Sequence, residues 1–462
     1  MSKWRSANLS DLADIRTSNV DKKSRPGEQP VSLCNYMDVY SNDYIRRNLD
    51  FMEATASGVE IEKFKVSNGD VIITKDSETP YDIGIPTAVI EETENLVCGY
   101  HLALIKPNLI EVDSVFLSKQ LSSVESAAYF SKVAAGSTRY GLSTGAIART
   151  RINLPSLPTQ QKIARILQTV DRAMEKTEAL IEKYQQIKAG LMHDLFTRGL
   201  WTQEELERGD HKGLPAEALA KVGQLRPPRH QAPHLYQETP IGWIPKAWGL
   251  QSLSALNDSL VDGPFGSNLK SEHYVPSEGV RVIRLQNIQS TEYNDGERAF
   301  VSKSHAAKLY RNHVTGGDIL IAGLGEEKHP VGRACLYPDS LPPAINKADC
   351  FRLRCNKSEM DQSFLMYFLN TEKAKHQVRK YEQGVTRCRI NTGNMKRIRV
   401  PKPELSEQNS ISAKLRTIQQ RVDSEISNRN KLTLQKQGLM HDLLTGKVPV
   451  TPDPEPEEAS DV

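Results

Sequence analysis

Positive charge is gathered into two short segments of this sequence. Residues 131–151 hold four Lys or Arg and no acid, and residues 379–399 hold seven together with one acid, Glu382. Arg139 and Arg387 each follow a threonine at corresponding places in these segments. A guanidinium can bind a phosphate, or the edge of a guanine through two hydrogen bonds. A single run of charge is also typical of a solvated surface, but its recurrence favours binding to nucleic acid.

Other residue types offer little for catalysis or metal binding. His193–Asp194 and His441–Asp442 are adjacent pairs whose side chains would diverge on a helix, so we interpret them as packing or partner-contact residues. The six cysteines form no C-x-x-C pair and no zinc-type spacing with histidine, which indicates reduced thiols. The sequence contains no Asn/Asp-Pro-Pro-Tyr/Phe adenine-methylation motif and no G-x-x-x-x-G-K-[ST] phosphate loop. We therefore predict no catalytic residue and no metal ligand in this chain.

Composition narrows the class of protein. The chain has 462 residues, enough for two or three domains, and 38% of them are hydrophobic and 25% charged. It has no apolar run of the roughly 18 residues that a membrane span needs. Its charged N-terminal residues do not resemble a secretory signal, so we expect a cytoplasmic location and no membrane partner. Because the formal charge is only +3, a surface for nucleic acid must arise from local clustering.

An internal repeat is the main organising feature. The segment GLMHDL at 190–195 recurs unchanged at 438–443, an offset of 248 residues. At the same offset, 136–151 and 384–399 share seven of sixteen residues. The shared residues of the first copy are Gly136, Thr138, Arg139, Thr144, Gly145, Arg149 and Arg151. Trp4 and Trp248 match at an offset of 244, so a small length change lies near the start of each copy. The chain is therefore a diverged duplication.

A long helix is predicted at the end of each copy. From Thr159 and from Ser406, apolar residues recur every three or four positions over about 35 residues without proline. Such a narrow stripe favours a coiled coil, and an antiparallel pair would relate the halves by an approximate two-fold axis. The alternative is two amphipathic helices packed on separate cores. The residues expected at the coiled-coil seam or at a partner contact are Ile163, Leu167, Val170, Met174, Leu191, Ile411, Leu415, Ile418, Val422 and Leu439.

Short β-rich runs precede each helix, for example Val71–Ile73 and Ile319–Ile321. The predicted fold class is α+β, with two tandem α/β modules separated by two long helices that form an antiparallel coiled coil. The proline-containing stretch between the copies is interpreted as a connector, and the acidic C-terminus as disordered. The predicted segments are a first module at 1–157, a helix at 158–200, a connector at 201–240, a second module at 241–405, a helix at 406–448 and a tail at 449–462.

Candidates for DNA contact come from the basic segments and from polar residues that differ between the copies. The turn Asp262-Gly263-Pro264-Phe265-Gly266-Ser267 is interpreted as structural. The candidates are Asn35, Lys75, Lys132, Thr138, Arg139, Arg149, Arg284, Gln286, Asn287, Lys328, Lys380, Thr386, Arg387, Arg389 and Arg397.

The repeat, the helix openings PTQQKI (158–163) and SEQNSI (406–411), the GLMHDL endings, and the segments GWIPKAW (242–248) and DGPFGS (262–267) together resemble the specificity subunit of type I restriction-modification enzymes. This resemblance covers nearly the whole chain. It implies two target-recognition domains and a complex with double-stranded DNA, two modification subunits and restriction subunits. It also implies that the partners use S-adenosylmethionine for adenine-N6 methylation and ATP with Mg for translocation and cleavage, with no cofactor in this chain. Glu407 and Asn409 depart from Thr159 and Gln161 in the first helix opening.

The predicted function is a non-catalytic adaptor that reads a bipartite DNA site and directs methyltransferase and restriction subunits to it. A protein-only scaffold that binds two partner copies through its helices is the main alternative. An enzyme with an unrecognised site is a third possibility, which cleavage or methylation of DNA by the purified chain alone would reveal.

Overall fold

The computed structural model describes residues 4–210, 221–277 and 279–453. The chain divides into two compact units, one formed by Met1–Ala179 with Glu425–Val462 and the other by Leu180–Ser424. Within the described ranges, no helix combines the length and the apolar character needed to cross a membrane.

The first module, residues 4–156, carries thirteen strands and five helices. Its strands are β1 (Arg5–Asn8), β2 (Ala13–Thr17), β3 (Gln29–Cys34), β4 (Tyr44–Ile45), β5 (Met52–Ala56), β6 (Val71–Thr74), β7 (Asp76–Ser77), β8 (Pro86–Val89), β9 (Leu96–Cys98), β10 (Leu102–Pro107), β11 (Ala135–Gly136), β12 (Tyr140–Gly141) and β13 (Arg151–Leu154). Its helices are α1 (Tyr36–Tyr40), α2 (Gly58–Phe64), α3 (Ser114–Leu121), α4 (Val124–Val133) and α5 (Thr144–Ala148).

A five-stranded sheet with the order β2-β10-β6-β8-β4 organises this module. Side chains alternate between the two faces of a strand, and here both faces are covered. Val71 and Ile73 lie in one hydrophobic core, whereas Ile72 between them lies in another. Burial on both sides explains why β6 reads as a continuous apolar run in the sequence. The remaining strands form the sheets β5-β3-β9 and β11-β12-β7 and the pair β1-β13.

The first long helix and the connector follow as α6 (Leu157–Arg198) and α7 (Gln203–Arg208). The second module then carries the strands β14 (Tyr236–Gln237), β15 (Ile244–Pro245), β16 (Gly249–Ser252), β17 (Asn257–Val261), β18 (Tyr274–Val275), β19 (Val280–Ile283), β20 (Phe300–Val301), β21 (His313–Val314), β22 (Ile319–Ala322), β23 (Leu324–Gly325), β24 (Ala334–Leu336), β25 (Ala344–Asn346), β26 (Cys350–Cys355), β27 (Cys388–Arg389) and β28 (Arg399–Lys402). Its helices are α8 (Lys303–Lys308), α9 (Gln362–Leu369), α10 (Glu372–Arg379), α11 (Thr392–Met395) and the long α12 (Leu405–Leu444).

The second module repeats the plan of the first. Its central sheet has the order β17-β26-β22-β24, and β22 again alternates between two cores, with Ile319 and Ile321 in one and Leu320 in the other. The starts of β6, β10, α3 and α6 recur 248 residues later as those of β22, β26, α9 and α12. The duplication read from the sequence is therefore a duplication of structure.

A glutamine near the start of each long helix shows why particular residues recur. The Gln160 side chain accepts a hydrogen bond from Asp113 N at 3.0 Å and donates to Pro155 O at 3.1 Å. Gln408 likewise accepts from Asp361 N at 2.8 Å and donates to Pro403 O at 2.9 Å. Each glutamine satisfies buried backbone groups of its own module, which a nonpolar residue could not do.

The two long helices run antiparallel where they meet. In the first unit, Lys436 of α12 lies 2.7 Å from Asp171 of α6. In the second unit, Lys188 of α6 donates to Gln419 of α12. Moving towards the C-terminus of α6 therefore moves towards the N-terminus of α12. These contacts confirm the predicted α+β fold with two tandem modules and two long helices that pair.

The end of each helix is buried in the core of the unit that holds the other module. Leu443 and Leu444, at the end of α12, belong to the hydrophobic core of the first module. Leu195 and Phe196, at the end of α6, belong to that of the second. The repeated GLMHDL segment thus ends each helix in apolar residues that insert into a core.

The described part of the connector is packed onto the second unit. Arg226 is fully buried and pairs with Glu205 at 2.6 Å and with Glu407 at 2.7 Å. Trp248 Nε1 and Leu200 N also donate to the Glu407 carboxylate, at 2.9 and 2.6 Å. This network gives Glu407, the departure in the second helix opening, a structural role. Of the acidic tail, Asp453 contacts Lys162 and Arg165 at 2.5 Å, and residues 454–462 lie outside the described residues.

Candidate nucleic-acid interface

A short hairpin presents the shared Thr-Arg pair of each basic segment. In the first module, β11 and β12 pair across a tight turn, so that Thr138 and Arg139 are exposed. Gly136 has φ +143°, and a Cβ there would lie 1.9 Å from the carbonyl oxygen of Arg139. Gly384 of the second module has φ +102°, with the corresponding distance at 2.5 Å. Only glycine fits so close a backbone approach, which accounts for its retention in both copies.

Beside the first hairpin lies an aromatic cleft of about 680 Å³. Tyr36 and Tyr40 stack at one wall with ring centroids 5.6 Å apart. Lys75 Nζ lies 4.8 Å from the ring centroid of Tyr100, which also lines the cleft. Arg139 reaches the same cleft from the hairpin. The cleft therefore combines aromatic rings and one arginine with three carboxylates, those of Asp76, Glu78 and Asp82. The rings and Arg139 suit contact with a base edge and the adjacent phosphate.

His101 in this cleft occupies an uncommon backbone conformation. Its φ is +71°, and its ring Nδ1 lies 2.8 Å from Asp76 Oδ2. The residue 248 positions later, Asp349, has φ +64°. A left-handed residue other than glycine costs on the order of 1–3 kcal/mol and tends to occur at functional sites. The same strained position thus recurs beside each hairpin with a different side chain.

In the second module, Asp349 pairs with Arg389 at 2.6 Å. The guanidinium carbon of Arg389 also lies 5.1 Å from the Phe265 ring centroid. Arg389 belongs to β27, which pairs with β23 at the end of the central sheet. The second site therefore places an arginine, paired with a carboxylate, where the first module has Gly141.

Arg333 forms hydrogen bonds with two loops that carry candidate residues. The sequence analysis did not identify Arg333. Its side chain is buried and donates to Ile288 O at 2.8 Å, Leu285 O at 3.0 Å and His329 O at 2.9 Å. These carbonyls belong to the loop of Arg284 to Asn287 and to the loop of Lys328. A single arginine in a polar stretch would be expected at the surface, so only the tertiary structure identifies this one.

The DNA-contact candidates differ in exposure. Asn35, Lys75 and Arg284 are partly buried, and Asn287 is fully buried. The exposed candidates are Lys132, Thr138, Arg139, Arg149, Gln286, Lys328, Lys380, Thr386, Arg387, Arg389 and Arg397.

The structure brings only some of these candidates together. In the first module Arg139 lines the cleft, Lys75 contacts the ring of Tyr100 that also lines it, and Asn35 precedes the helix that supplies Tyr36. Lys132 on α4 and Arg149 at the end of α5 are not among the residues that line it.

The candidates in the 284–287 loop of the second module gather around Glu297. Its carboxylate accepts from Gln286 at 2.7 Å and from Arg284 at 3.4 Å. Asn287 donates its side-chain amide to Asn294 O and Glu297 O, at 2.8 and 3.1 Å. The amide of Asn287 is therefore engaged with the backbone of its own loop.

The apolar residues proposed for the helix seam lie in two settings. Ile163 and Leu167 are buried in the core that contains the first module, and Ile411 and Leu415 in that of the second. Further along, Ile418 and Val422 are buried, Val170 and Met174 are partly buried, and Leu191 and Leu439 pack at the edge of the cores.

The structure thus consists of two equivalent modules, each with a hairpin that presents an exposed threonine and arginine, and of two long helices that pair. Among the residues that the structure describes, no group of three or more His, Cys, Asp or Glu side chains is placed to hold a metal ion. Residues 1–186 and 269–434 match the family described as the type I restriction modification DNA specificity domain. This chain belongs to that family.

Individual relatives agree with this assignment. The putative type I restriction enzyme MjaX specificity subunit of Methanocaldococcus jannaschii is 23% identical over 452 residues, which are 97% of this chain and 94% of the relative. The EcoKI specificity subunit of Escherichia coli is 25% identical over 184 residues, 40% of this chain and 38% of the relative. Among solved structures, the S subunit from M. genitalium has a TM-score of 0.53 at 15% identity, with 96% of both chains covered, and thus shares the fold.

Specificity subunits are the non-catalytic, DNA-recognising subunits of type I restriction-modification systems, where they work with methylase and restriction subunits. The resemblance stated from the sequence is confirmed by the family match.

Proposed function

We propose that this chain reads a bipartite DNA site, one half with each module, and directs adenine-N6 methyltransferase and restriction subunits to it. The proposal is supported by one observation above all: equivalent positions beside the hairpins of two equivalent folds carry different residues. His101 and Asp349 correspond, as do Gly141 and Arg389. A duplicated reader whose framework is kept and whose contact residues differ suits two half-sites of different sequence.

The chemistry belongs to the partners in this proposal. Two modification subunits would bind S-adenosylmethionine and transfer its methyl group to adenine N6, and restriction subunits would use ATP and Mg for translocation and cleavage. This chain would only determine where on the DNA those subunits act. The presence of two equivalent modules, each with its own basic hairpin, supports a partner number of two modification subunits.

DNA footprinting with and without the modification subunits tests the proposal. We expect two protected blocks on one duplex when the subunits are present, with little protection by the subunits alone. A matched pair of variants is Arg139→Ala and Lys176→Ala, since Lys176 is exposed on α6 away from the hairpins. Only Arg139→Ala should weaken the protection of one of the two blocks. Co-purification of the subunits with no sequence-dependent protection would instead support the protein-only scaffold.

A further inference from the structure

The turn formed by residues 262–267 does more than close a loop, because it helps to position the side chain of Arg389. Asp262 accepts hydrogen bonds from its neighbour Gly263 N at 2.7 Å and from Asp349 N at 2.9 Å. Phe265 of the same turn contributes the ring that lies 5.1 Å from the guanidinium carbon of Arg389. The turn therefore supplies the aromatic ring beside Arg389 and holds the backbone of Asp349, the acid that pairs with it.

The backbone of this turn and of the neighbouring 347–349 loop is tightly constrained. A Cβ on Gly263 would lie 1.9 Å from the carbonyl carbon of Lys347, so only glycine allows the turn to approach the 347–349 loop. Asp349 is then held in its left-handed conformation on both sides. Its N–H is bound by Asp262, and its carbonyl accepts from Gly323 N at 2.7 Å. Strain of this kind persists only where the surroundings fix it.

Arg389 is held on several sides but keeps donors free. Its backbone is paired with Gln383 by two hydrogen bonds of 2.8 Å, and its Nη2 lies 2.6 Å from Asp349. Its side chain remains 48% exposed, and Nε and Nη1 make no hydrogen bond among the described residues. An arginine fixed by a carboxylate and an aromatic face has already lost the rotamer freedom that binding would otherwise remove.

We propose that Arg389 reads a guanine in the half-site of the second module, and that Asp349 and Phe265 position it for this contact. The chemical basis is the match between the guanidinium donors and the O6 and N7 acceptors of guanine, the commonest specific contact in the major groove. The first module has Gly141 at the equivalent place and cannot make the same contact. This inference rests on the proposed function, since it assumes that the modules bind half-sites.

The test compares base preferences of complexes reconstituted with the modification subunits, measured by competition between DNA duplexes in which each position of the site is randomised. Arg389→Lys keeps the charge but loses the planar set of donors. We expect it to reduce the preference for one guanine in one half-site about tenfold or more, with the other positions unchanged. Asp349→Asn and Phe265→Leu should reduce the same preference by a smaller factor. Arg387→Lys, two residues away and exposed, should affect all sequences equally.

The outcomes separate this inference from the proposed function. If the wild-type complex shows a bipartite preference and Arg389→Lys keeps the guanine preference, or weakens all sequences uniformly, the assignment of Arg389 is wrong and the proposed function stands. If the wild-type complex shows no sequence preference, the proposed function itself fails. Thermal unfolding of each variant checks that the fold is retained.

Discussion

At the scale of single residues, the fold depends on glycines that allow a close backbone approach and on charged side chains that are buried with partners distant in sequence. Gly136 and Gly384 stood out as identities in the repeat, and their backbone conformation explains why. Arg226 and Arg333 did not stand out, because a charged residue is rarely expected in a protein interior. The burial of Arg226, for example, depends on Glu205 and Glu407, which lie 21 and 181 positions away in the sequence. No local pattern contains that information.

The buried network around Glu407 leads to a prediction about stability. Glu407→Ala leaves Arg226 with one of its two carboxylate partners and removes the acceptor of Trp248 Nε1. Breaking a buried ion pair in this way should cost about 3–5 kcal/mol of the free energy of unfolding. The matched control is Thr159→Ala at the equivalent position of the first copy, expected to cost about 1 kcal/mol or less. Urea unfolding measures both, and equal losses would contradict the role of the network.

A second prediction concerns acid. Asp43 and Asp171 lie within 3.0 Å of Lys119 and Lys436 in the first unit. Although burial alone would raise the pKa of Asp43, the two lysines lower it to about 2. Because this pKa lies below the usual value near 3.9, ionised Asp43 stabilises the fold at neutral pH. That stabilisation is lost as the pH falls from about 5 towards 2.

Unfolding of the wild type and of Asp43→Asn across this pH range checks the prediction. The difference in free energy of unfolding between them should be larger at about pH 7 than at about pH 3. At about pH 3 the carboxyl of the unfolded chain is largely protonated, so part of the stabilisation from ionised Asp43 is already lost. A difference that stays constant with pH would show that Asp43 acts through packing alone.

At the scale of elements, periodicity predicted the strands and the long helices well. The run Val71–Ile73 is part of β6, and the helices span 42 and 40 residues. The register of the pair was not predictable from periodicity, since apolar stripes allow several alignments. Asp171 and Gln419, which meet lysines of the opposite helix, are equivalent positions with different side chains. Nor did the pattern distinguish seam residues from residues such as Ile163 and Ile411 that lie in module cores.

The helix pair gives a prediction about spacing. If the helices set the distance between the half-sites, adding seven residues to both α6 and α12 at paired points lengthens them by about 10.5 Å. The preferred spacer should then grow by about three base pairs, at about 3.4 Å per base pair. Binding to duplexes with graded spacers measures this. Adding seven residues between Gly209 and Asp210, just after α7, is the control and should leave the spacer unchanged. If the variant with lengthened helices kept the wild-type optimum of spacer length, the helices would not set the distance between the half-sites.

At the scale of the whole molecule, the duplication was predictable from the sequence, whereas the division of the chain into two compact units was not. The segment boundaries drawn from the sequence fall at the ends of the long helices, whereas the compact units divide within them, after Ala179 and after Ser424. The reason is the burial of Leu195, Phe196, Leu443 and Leu444 in the cores. An apolar helix end can pack on its own module or on another, and the sequence does not distinguish the two.

The overall charge leads to a prediction about salt. Since the net charge is only +3, affinity for DNA should depend on the local basic hairpins. Replacing Arg139 or Arg387 by alanine should reduce the slope of log affinity against log salt by about 1 each, if each neutralises one phosphate. Titrations at several salt concentrations measure the slope, with Lys176→Ala as the control. Slopes that do not respond to the hairpin arginines would place the phosphate contacts elsewhere.

The most direct measurement of the central claim is methylation-aware sequencing of DNA from cells that carry this chain with its modification subunit. Two modules that read independently predict methylated adenines within a split motif, with two specified blocks around a spacer of fixed length and unspecified sequence. A single continuous motif, or methylation without a motif, would contradict the account of one reader for each half of the site.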